Sequence, residues 1–347
     1  MMKIANRKIG NGHPVFIVAE ISANHGQSLN RAVSLIKKAK ECGADAVKFQ
    51  AYTPDTLTLD VNNKYFKIKH PKWGSRTLYS LYKEAFTPWD WFKTLKRAAD
   101  DSGLIFFSTA FDKTSVDFLE SLKVQVHKIA SFELADLPLI EYVSGTKKPL
   151  ILSTGMSTLK EIKGAFDAAK ASGAKELILL KCTSSYPAEP KEMNLKTIPH
   201  MAGFFKCPVG LSDHSLGAGV SVAAVSLGAN MIEKHFTISR GVKTPDSFFS
   251  MEPREFKQMV ENIRIAELSL GRVCYKLTGQ EAKSRIFRRS LFAAEDINKG
   301  EIFTERNMRS VRPSAGIEPK YLNKILGRKA SRRIKKGTPI KWHLVDR

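Results

Sequence analysis

The chain has 347 residues, 43% of them hydrophobic, and 56 Lys and Arg against 34 Asp and Glu, a net charge of +22. That length admits one or two domains; the four cysteines, Cys42, Cys182, Cys207 and Cys274, form no CxxC pair, which argues against a disulfide framework or a thiolate zinc site. The N-terminal MMKIANRKIG has no apolar signal core, and no apolar run approaches the ~18 residues of a membrane span, so a cytoplasmic enzyme with no membrane partner is expected.

Eight short runs rich in Val, Ile, Leu and Phe follow in order. They are VFIVAE (15–20), AVKFQ (46–50), IFFSTAF (105–111), VHKIASF (126–132), PLILST (149–154), ELILLKC (176–182), VGLSDH (209–214) and MIEKHFT (231–237). Amphipathic stretches separate them. Runs this short and apolar read as strands buried on both faces of a parallel sheet. Eight βα units in about 250 residues predict an α/β fold, a (β/α)8 TIM barrel. Such a barrel gathers its chemistry at the C-terminal ends of the strands. Those ends carry Glu20, Lys48, Thr109, Lys128, Ser131, Ser153, Cys182, Asp213, His214 and His235.

The connections are punctuated. Gly43 and Gly103 sit where helices stop. The segment 51–86 is too long for a plain turn and holds Tyr52, Phe66, Trp73, Tyr79 and Tyr82. It reads either as a lid or sugar-stacking wall, or as an insertion packed on the rim. Thr87-Pro88-Trp89-Asp90 predicts a helix start capped by Thr87. Thr158 and Glu161 form a capping box. The barrel domain is expected over 1–268, ending with a helix at 252–268. A polar linker is expected over 269–286, and a small, mostly β module over 287–347, with NKG and PSAG as turns. Residues 281–347 hold 18 Lys and Arg against 7 Asp and Glu. No aromatic-interleaved basic stripe accompanies them, so the charge reads as a solvated surface and no nucleic-acid partner is expected.

Two constellations carry chemistry. His214 and His235 lie at the ends of neighbouring strands. Two imidazoles among carboxylates suit a divalent metal such as Mn²⁺. Glu20, on the strand that closes the ring, and Asp246, in the following loop, are available as further ligands or as general acid and base. Lys48 and Lys128 stand in apolar strand ends and need an anion. With Thr109, Ser131, Ser153 and Ser184 they describe a cradle for phosphate and carboxylate. On composition alone a Schiff-base lysine remains open. Neither GxxxxGK[ST] nor GxGxxG is present, which argues against a nucleotide-binding enzyme.

AEISANH (19–25), DAVKFQ (45–50), YTPDTLT (52–58), FFSTAFD (106–112), HKIASFE (127–133), LSTGM (152–156), KCTSSYPA (181–188), GLSDHSLG (210–217) and IEKHFT (232–237) together resemble the sialic acid synthase family. The tail resembles the SAF (antifreeze-like) domain appended to those enzymes. Within the family, TLYSLYKEAFTPWDW (77–91) is most similar to the pseudaminic acid synthases. The resemblance implies condensation of phosphoenolpyruvate with an N-acylated amino sugar, assisted by Mn²⁺ or Mg²⁺. For a pseudaminic acid synthase the sugar is 2,4-diacetamido-2,4,6-trideoxy-L-altrose; N-acetylneuraminate or legionaminate formation is the alternative. The resemblance implies metal ligands at His214 and His235. It implies phosphoenolpyruvate contacts at Lys48, Thr109, Lys128, Ser131, Ser153, Tyr186 and Ser212, with Ser184 where some members carry Asn. Sugar contacts and acid–base roles fall on Glu20, Glu133 and Asp246. Arg312 is implied to reach the sugar bound by the other subunit of a domain-swapped homodimer. Ala110, where Pro is usual, and Gly26-Gln27 depart from the pattern in loop shape only.

Overall fold

The structure, a computed structural model, describes residues 2–70 and 72–346. Eight parallel strands form its first compact unit: β1 (Phe16–Glu20), β2 (Ala46–Ala51), β3 (Ile105–Ala110), β4 (His127–Ile129), β5 (Leu150–Ser153), β6 (Leu177–Cys182), β7 (Val209–Asp213) and β8 (Met231–His235). They pair in sequence order, and β8 pairs back onto β1, so the barrel closes. Every strand expected from the sequence is present.

Side chains alternate across each strand, and that alternation sorts the core into two shells. Ile17, Ala19, Val47, Phe49, Phe106, Leu179, Leu211 and Ile232 face outward and pack under the helices. Phe16, Val18, Ala46, Phe107, Ile151, Ile178, Leu180 and Met231 face inward. The helices supply the matching stripes. In Leu29–Glu41 the buried residues are Ala32, Leu35, Ile36 and Ala39, the spacing of one helical face, and Ser28 caps the first turn by accepting from Arg31 N.

A hairpin the sequence gave no signal for, Met2–Ile4 against Arg7–Ile9, joins the inner shell through Met2, Ile4 and Ile9. Each of these buried side chains contributes roughly 1.5–3 kcal/mol. The hairpin fills the N-terminal end of the barrel, opposite the strands' C-terminal ends. At inward-facing Gly210 a Cβ would sit 2.5 Å from Met231 O and 2.7 Å from Leu180, so β7 and β8 meet closely only because that position is glycine.

The capping box at Thr158 and Glu161 forms, and Gly43 and Gly103 adopt φ of +88° and +65° just past helix ends. Thr87 does not cap. Trp89–Trp91 forms a 3-10 turn that runs straight into the helix Phe92–Asp101, and Thr87 instead bonds His25 Nε2 at 3.1 Å. The last barrel helix, Pro253–Leu270, runs two residues past its expected end.

The second compact unit spans 272–347. Part of the stretch read as a linker is helical, Gly279–Ser284, held by a capping box of Thr278 and Glu281 that the T-x-x-E spacing announces. Beyond it, Ser290–Ala293 pairs antiparallel with Met308–Val311, and single bridges such as Ile297 to Ile334 tie the remaining loops. A separate core of Leu291, Ile297, Phe303, Met308, Ile325, Ile340 and neighbours holds this unit together.

Candidate active site

The same period of two that buries Phe16 and Val18 points Glu20 into the barrel mouth. It does likewise for Lys48 and Gln50 on β2, Thr109 on β3, Lys128 after buried Val126, Ser153 on β5, Cys182 on β6, Ser212 on β7, and Glu233 and His235 on β8. These side chains form the floor of a cavity of about 750 Å³. Ser131, Glu133, Ser184, Tyr186, His214 and Asp246 complete its lining from the loops. Thirteen residues singled out within the barrel sequence therefore converge on one cavity: Glu20, Lys48, Thr109, Lys128, Ser131, Glu133, Ser153, Ser184, Tyr186, Ser212, His214, His235 and Asp246. Arg312 belongs to the second unit, directly after the strand Met308–Val311, and is exposed.

Lys48 is the hub of the floor. Its Nζ lies 2.8 Å from Glu20 Oε2 and 3.5 Å from Glu233 Oε1, and donates to Thr109 Oγ1 at 3.1 Å. Against burial, these two carboxylates hold the ammonium charged. Lys128 donates to Ser153 Oγ at 2.6 Å, and burial pushes its pKa down. Burial lifts Glu20 to about 7, opposed by Lys48 and assisted by Glu233. It lifts Glu133 to about 7 as well, opposed by Lys128. Glu233 goes the other way: although burial raises it, Lys48, Lys128 and a hydrogen bond from Ser212 Oγ at 3.1 Å bring it below the usual carboxylate value. The cavity thus combines fixed charges with two carboxyls poised near neutrality.

Sequence reasoning missed Glu233 and Gln50, which donates to Glu20 Oε1 at 3.1 Å. The signal was present. In Met231–His235, period two puts Glu233 on the same face as His235 and sends Lys234 outward.

The imidazoles of His214 and His235 lie with ring centroids 5.4 Å apart. His214 Nδ1 bonds the carbonyl of Thr183 at 3.0 Å, which leaves Nε2 for a ligand. His235 Nδ1 is buried without a hydrogen-bond partner. Burial, then His214, then Lys48 drive the His235 pKa well down, so the ring stays neutral. Two imidazoles, one with its Nε2 open and the other with a bare buried nitrogen, fit a divalent cation. No three His, Cys, Asp or Glu side chains converge as a complete cage among the described residues. The remaining coordination positions would fall to water and substrate oxygens. Glu133 Oε2 and Glu233 Oε2 are also buried without partners and face the same cavity.

Two local devices hold the site open. Gly155 has φ +36°, and a Cβ there would lie 2.2 Å from Ser131 Cβ and 2.5 Å from Ser184 Oγ, so it gives room to the Ser131–Ser184 contact of 2.9 Å. The inserted segment after β2 folds into Pro54–Leu57, a hairpin Lys67–His70 with Gly74–Thr77, and the helix Leu78–Ala85. Trp73 at the hairpin turn donates Nε1 to Pro245 O at 2.7 Å and lies 6.2 Å from the Tyr186 ring. Leu57, Ile68, Trp73 and Leu81 line the cavity, so the segment is a wall of the site.

The comparisons with known proteins agree with this geometry. Residues 35–275 match the NeuB family and residues 288–346 the SAF domain. The chain is 45% identical to the pseudaminic acid synthase of Campylobacter jejuni, over 94% of this chain and 95% of that protein. It is 42% identical to the pseudaminic acid synthase of Helicobacter pylori, over 96% and 98%. The crystal structure of the spore coat polysaccharide biosynthesis protein SpsE from Bacillus subtilis superposes with a TM-score of 0.69 at 34% identity, covering 99% of each chain. The chain therefore belongs to the NeuB family, the sialic acid synthases its motifs resemble, and carries their SAF domain at its C-terminal end.

Proposed function

We propose that this protein is a pseudaminic acid synthase. It joins phosphoenolpyruvate to 2,4-diacetamido-2,4,6-trideoxy-L-altrose with water, and releases phosphate. The observation that carries the chemistry is the single cavity where Lys48, Lys128, His214 and His235 converge with Glu20 and Glu133 near their midpoints at neutral pH. The relatives at 42–45% identity support the choice of sugar.

Lys48 and Lys128, with Thr109, Ser131, Ser153, Ser184 and Ser212, hold the carboxylate and phosphate of phosphoenolpyruvate. Tyr186, whose ring lies 4.4 Å from that of His214, forms its apolar side. Carbon 3 attacks the open-chain aldehyde of the sugar. His214 and His235 would hold a divalent cation, Mn²⁺ or Mg²⁺, which would supply Lewis-acid polarisation of that aldehyde. The aldehyde oxygen takes up a proton as it becomes a hydroxyl, while water adds to carbon 2 and gives a proton to a cavity carboxylate, Glu20 or Glu133. Carbon–oxygen cleavage then expels phosphate, whose charge the two lysines stabilise. Asp246, which accepts from Ala23 N at 3.3 Å, faces the sugar.

Of the two lysines a Schiff-base mechanism would use, Lys48 is disfavoured by its own contacts, since Glu20 and Glu233 hold the amine protonated, and Lys128, whose amine burial pushes towards the neutral form, is the one left to it. The working unit in this proposal is a homodimer in which Arg312 serves the partner's site. Exposed Val273, Tyr275, Ile286 and Phe287 in the connecting stretch give a second copy an apolar surface to cover. No helix among the described residues is long and apolar enough to cross a membrane. The cytoplasm is the proposed site of action because it supplies phosphoenolpyruvate.

The test is phosphate release from the metal-loaded protein with phosphoenolpyruvate and each of three sugars. These are the L-altrose sugar, its D-mannose-configured counterpart and N-acetylmannosamine. Release with the altrose sugar alone is expected. Release only with another sugar reassigns the protein to legionaminate or N-acetylneuraminate formation.

A further inference from the structure

The cavity is chemically two-sided. Its floor is ionic, while the part built by the segment 53–85 presents Leu57, Ile68, Leu78, Leu81 and Ala85. A TIM barrel needs no such segment, since ordinary βα turns are a few residues long. Two polar atoms of its hairpin are already engaged. Trp73 Nε1 is spent on Pro245 O at 2.7 Å, and His70 Nδ1 accepts from Lys72 N at 3.2 Å. The Trp73 bond also fixes the hairpin to the loop after β8, next to Asp246. Tyr52 packs edge-on against Tyr82 at 5.8 Å, which secures the helix behind the wall.

The direction of the sugar follows from the reaction. Its aldehyde must meet phosphoenolpyruvate on the ionic floor, which leaves carbons 4 to 6 for the outer part of the cavity, where the segment forms one wall. A sugar bearing hydroxyls there would press them against aliphatic carbon and lose their hydrogen bonds to water. A 6-deoxy sugar with acylated amines presents methyl groups instead. We infer that the apolar wall of segment 53–85 selects the distal end of the sugar, accepting a 6-methyl and acetamido methyls in preference to hydroxyls. This rests on the synthase reaction proposed above and adds the residues that choose its substrate. Tyr82 and His70, which also line the cavity, are polar side chains the segment offers to the acetamido amide.

The experiment compares kcat/KM for 2,4-diacetamido-2,4,6-trideoxy-L-altrose and for its 6-hydroxy counterpart. The unmodified protein should prefer the deoxy sugar by about 10–200-fold, the range an apolar pocket gives for so small a change. Ile68→Asn and Leu78→Asn should each raise KM for the deoxy sugar about tenfold or more and bring the ratio between the sugars towards one, leaving KM for phosphoenolpyruvate unchanged. Ile68→Thr repeats the test with less risk to folding, and the preference of the unmodified protein needs no variant. Equal use of both sugars by the unmodified protein overturns the inference, as does an equal loss on both in the variants. Turnover of N-acetylmannosamine alone would overturn the proposed reaction itself, a different result from turnover of the altrose sugars without discrimination.

Discussion

Glu20 and Glu133 both titrate near 7, but their surroundings differ. Glu20 is held by Lys48 at 2.8 Å and Gln50 at 3.1 Å, whereas Glu133 Oε2 has no partner. With equal affinity for a proton, the difference is access: Lys48 and Gln50 occupy Glu20, while the partnerless Oε2 of Glu133 can accept from water, so Glu133 is the better-placed base. Glu133→Gln should lower kcat by about 10²–10⁴-fold. It should also remove the limb on which activity rises with pH through about 7, while Glu20→Gln keeps that limb. A pH–rate profile in which only Glu20→Gln loses the limb would exchange the two roles. Stability gives an independent readout. The Glu133 pKa is raised from 4.5 to about 7, so between those values the folded protein keeps a proton that the unfolded chain has released. Stability therefore falls as pH rises through that window. Glu133→Gln should accordingly raise Tm relative to the unmodified protein at pH 8 and change it little at pH 4. At this scale the sequence was most legible where a polar side chain interrupts an apolar run, as Lys48 and Lys128 do. It was least legible in Glu-Lys-His at 233–235, where three polar residues stand together and only the strand's alternation tells which face the cavity.

The alternation has a second consequence, on the outer face of β7 and β8. Asp213 and Lys234 directly adjoin His214 and His235 in sequence but point away from the cavity, and they pair at 2.8 Å with both side chains buried. Asp213 also accepts from Ser215 N at 2.9 Å and from Ser221 Oγ at 2.6 Å, and Lys234 donates to Ser215 O at 2.5 Å. This network ties the turn after β7 to the neighbouring strand, and so sets the spacing of the two imidazoles. Lys234→Met would leave Asp213 buried without its cation, at a cost of about 3–5 kcal/mol. The urea midpoint should fall accordingly, and Mn²⁺ affinity measured by calorimetry should weaken although both histidines remain. The double variant Asp213→Leu with Lys234→Met should recover much of the folding stability, since two apolar groups leave no stranded charge. Unchanged Mn²⁺ affinity in Lys234→Met would mean that the pair serves folding alone. At the element scale the barrel strands were legible because each is a short apolar run with Gly or a cap at its border. The N-terminal hairpin was not, because Met2, Ile4 and Ile9 are too few to form a pattern and become a hairpin only by filling the barrel end. The insertion after β2 was visible as excess length, but its hairpin was not. Lys67–His70 and Gly74–Thr77 carry little apolar alternation, and their place depends on Trp73 reaching Pro245.

For the whole molecule the question is whether one chain suffices. The two compact units, 1–271 and 272–347, each have their own core, and the floor of the cavity comes entirely from the first. If Arg312 of one protomer completes the site of its partner, the defects His214→Ala and Arg312→Ala reside in different sites of a mixed dimer. One site then carries both defects and the other neither. Each variant alone should be close to inactive, His214→Ala through loss of metal binding and Arg312→Ala through a raised KM for the sugar with little change for phosphoenolpyruvate. Unfolding the two together and refolding them at equal concentration would produce mixed dimers as half of the population, each with one intact site. Phosphate release should return to roughly a quarter of the unmodified level, as the pairing of two copies in a closed dimer requires. If Arg312 instead served the site of its own chain, every site in a mixed dimer would carry one defect, and mixing would restore nothing. Recovered activity thus reads directly whether Arg312 acts on the site of a partner chain or of its own.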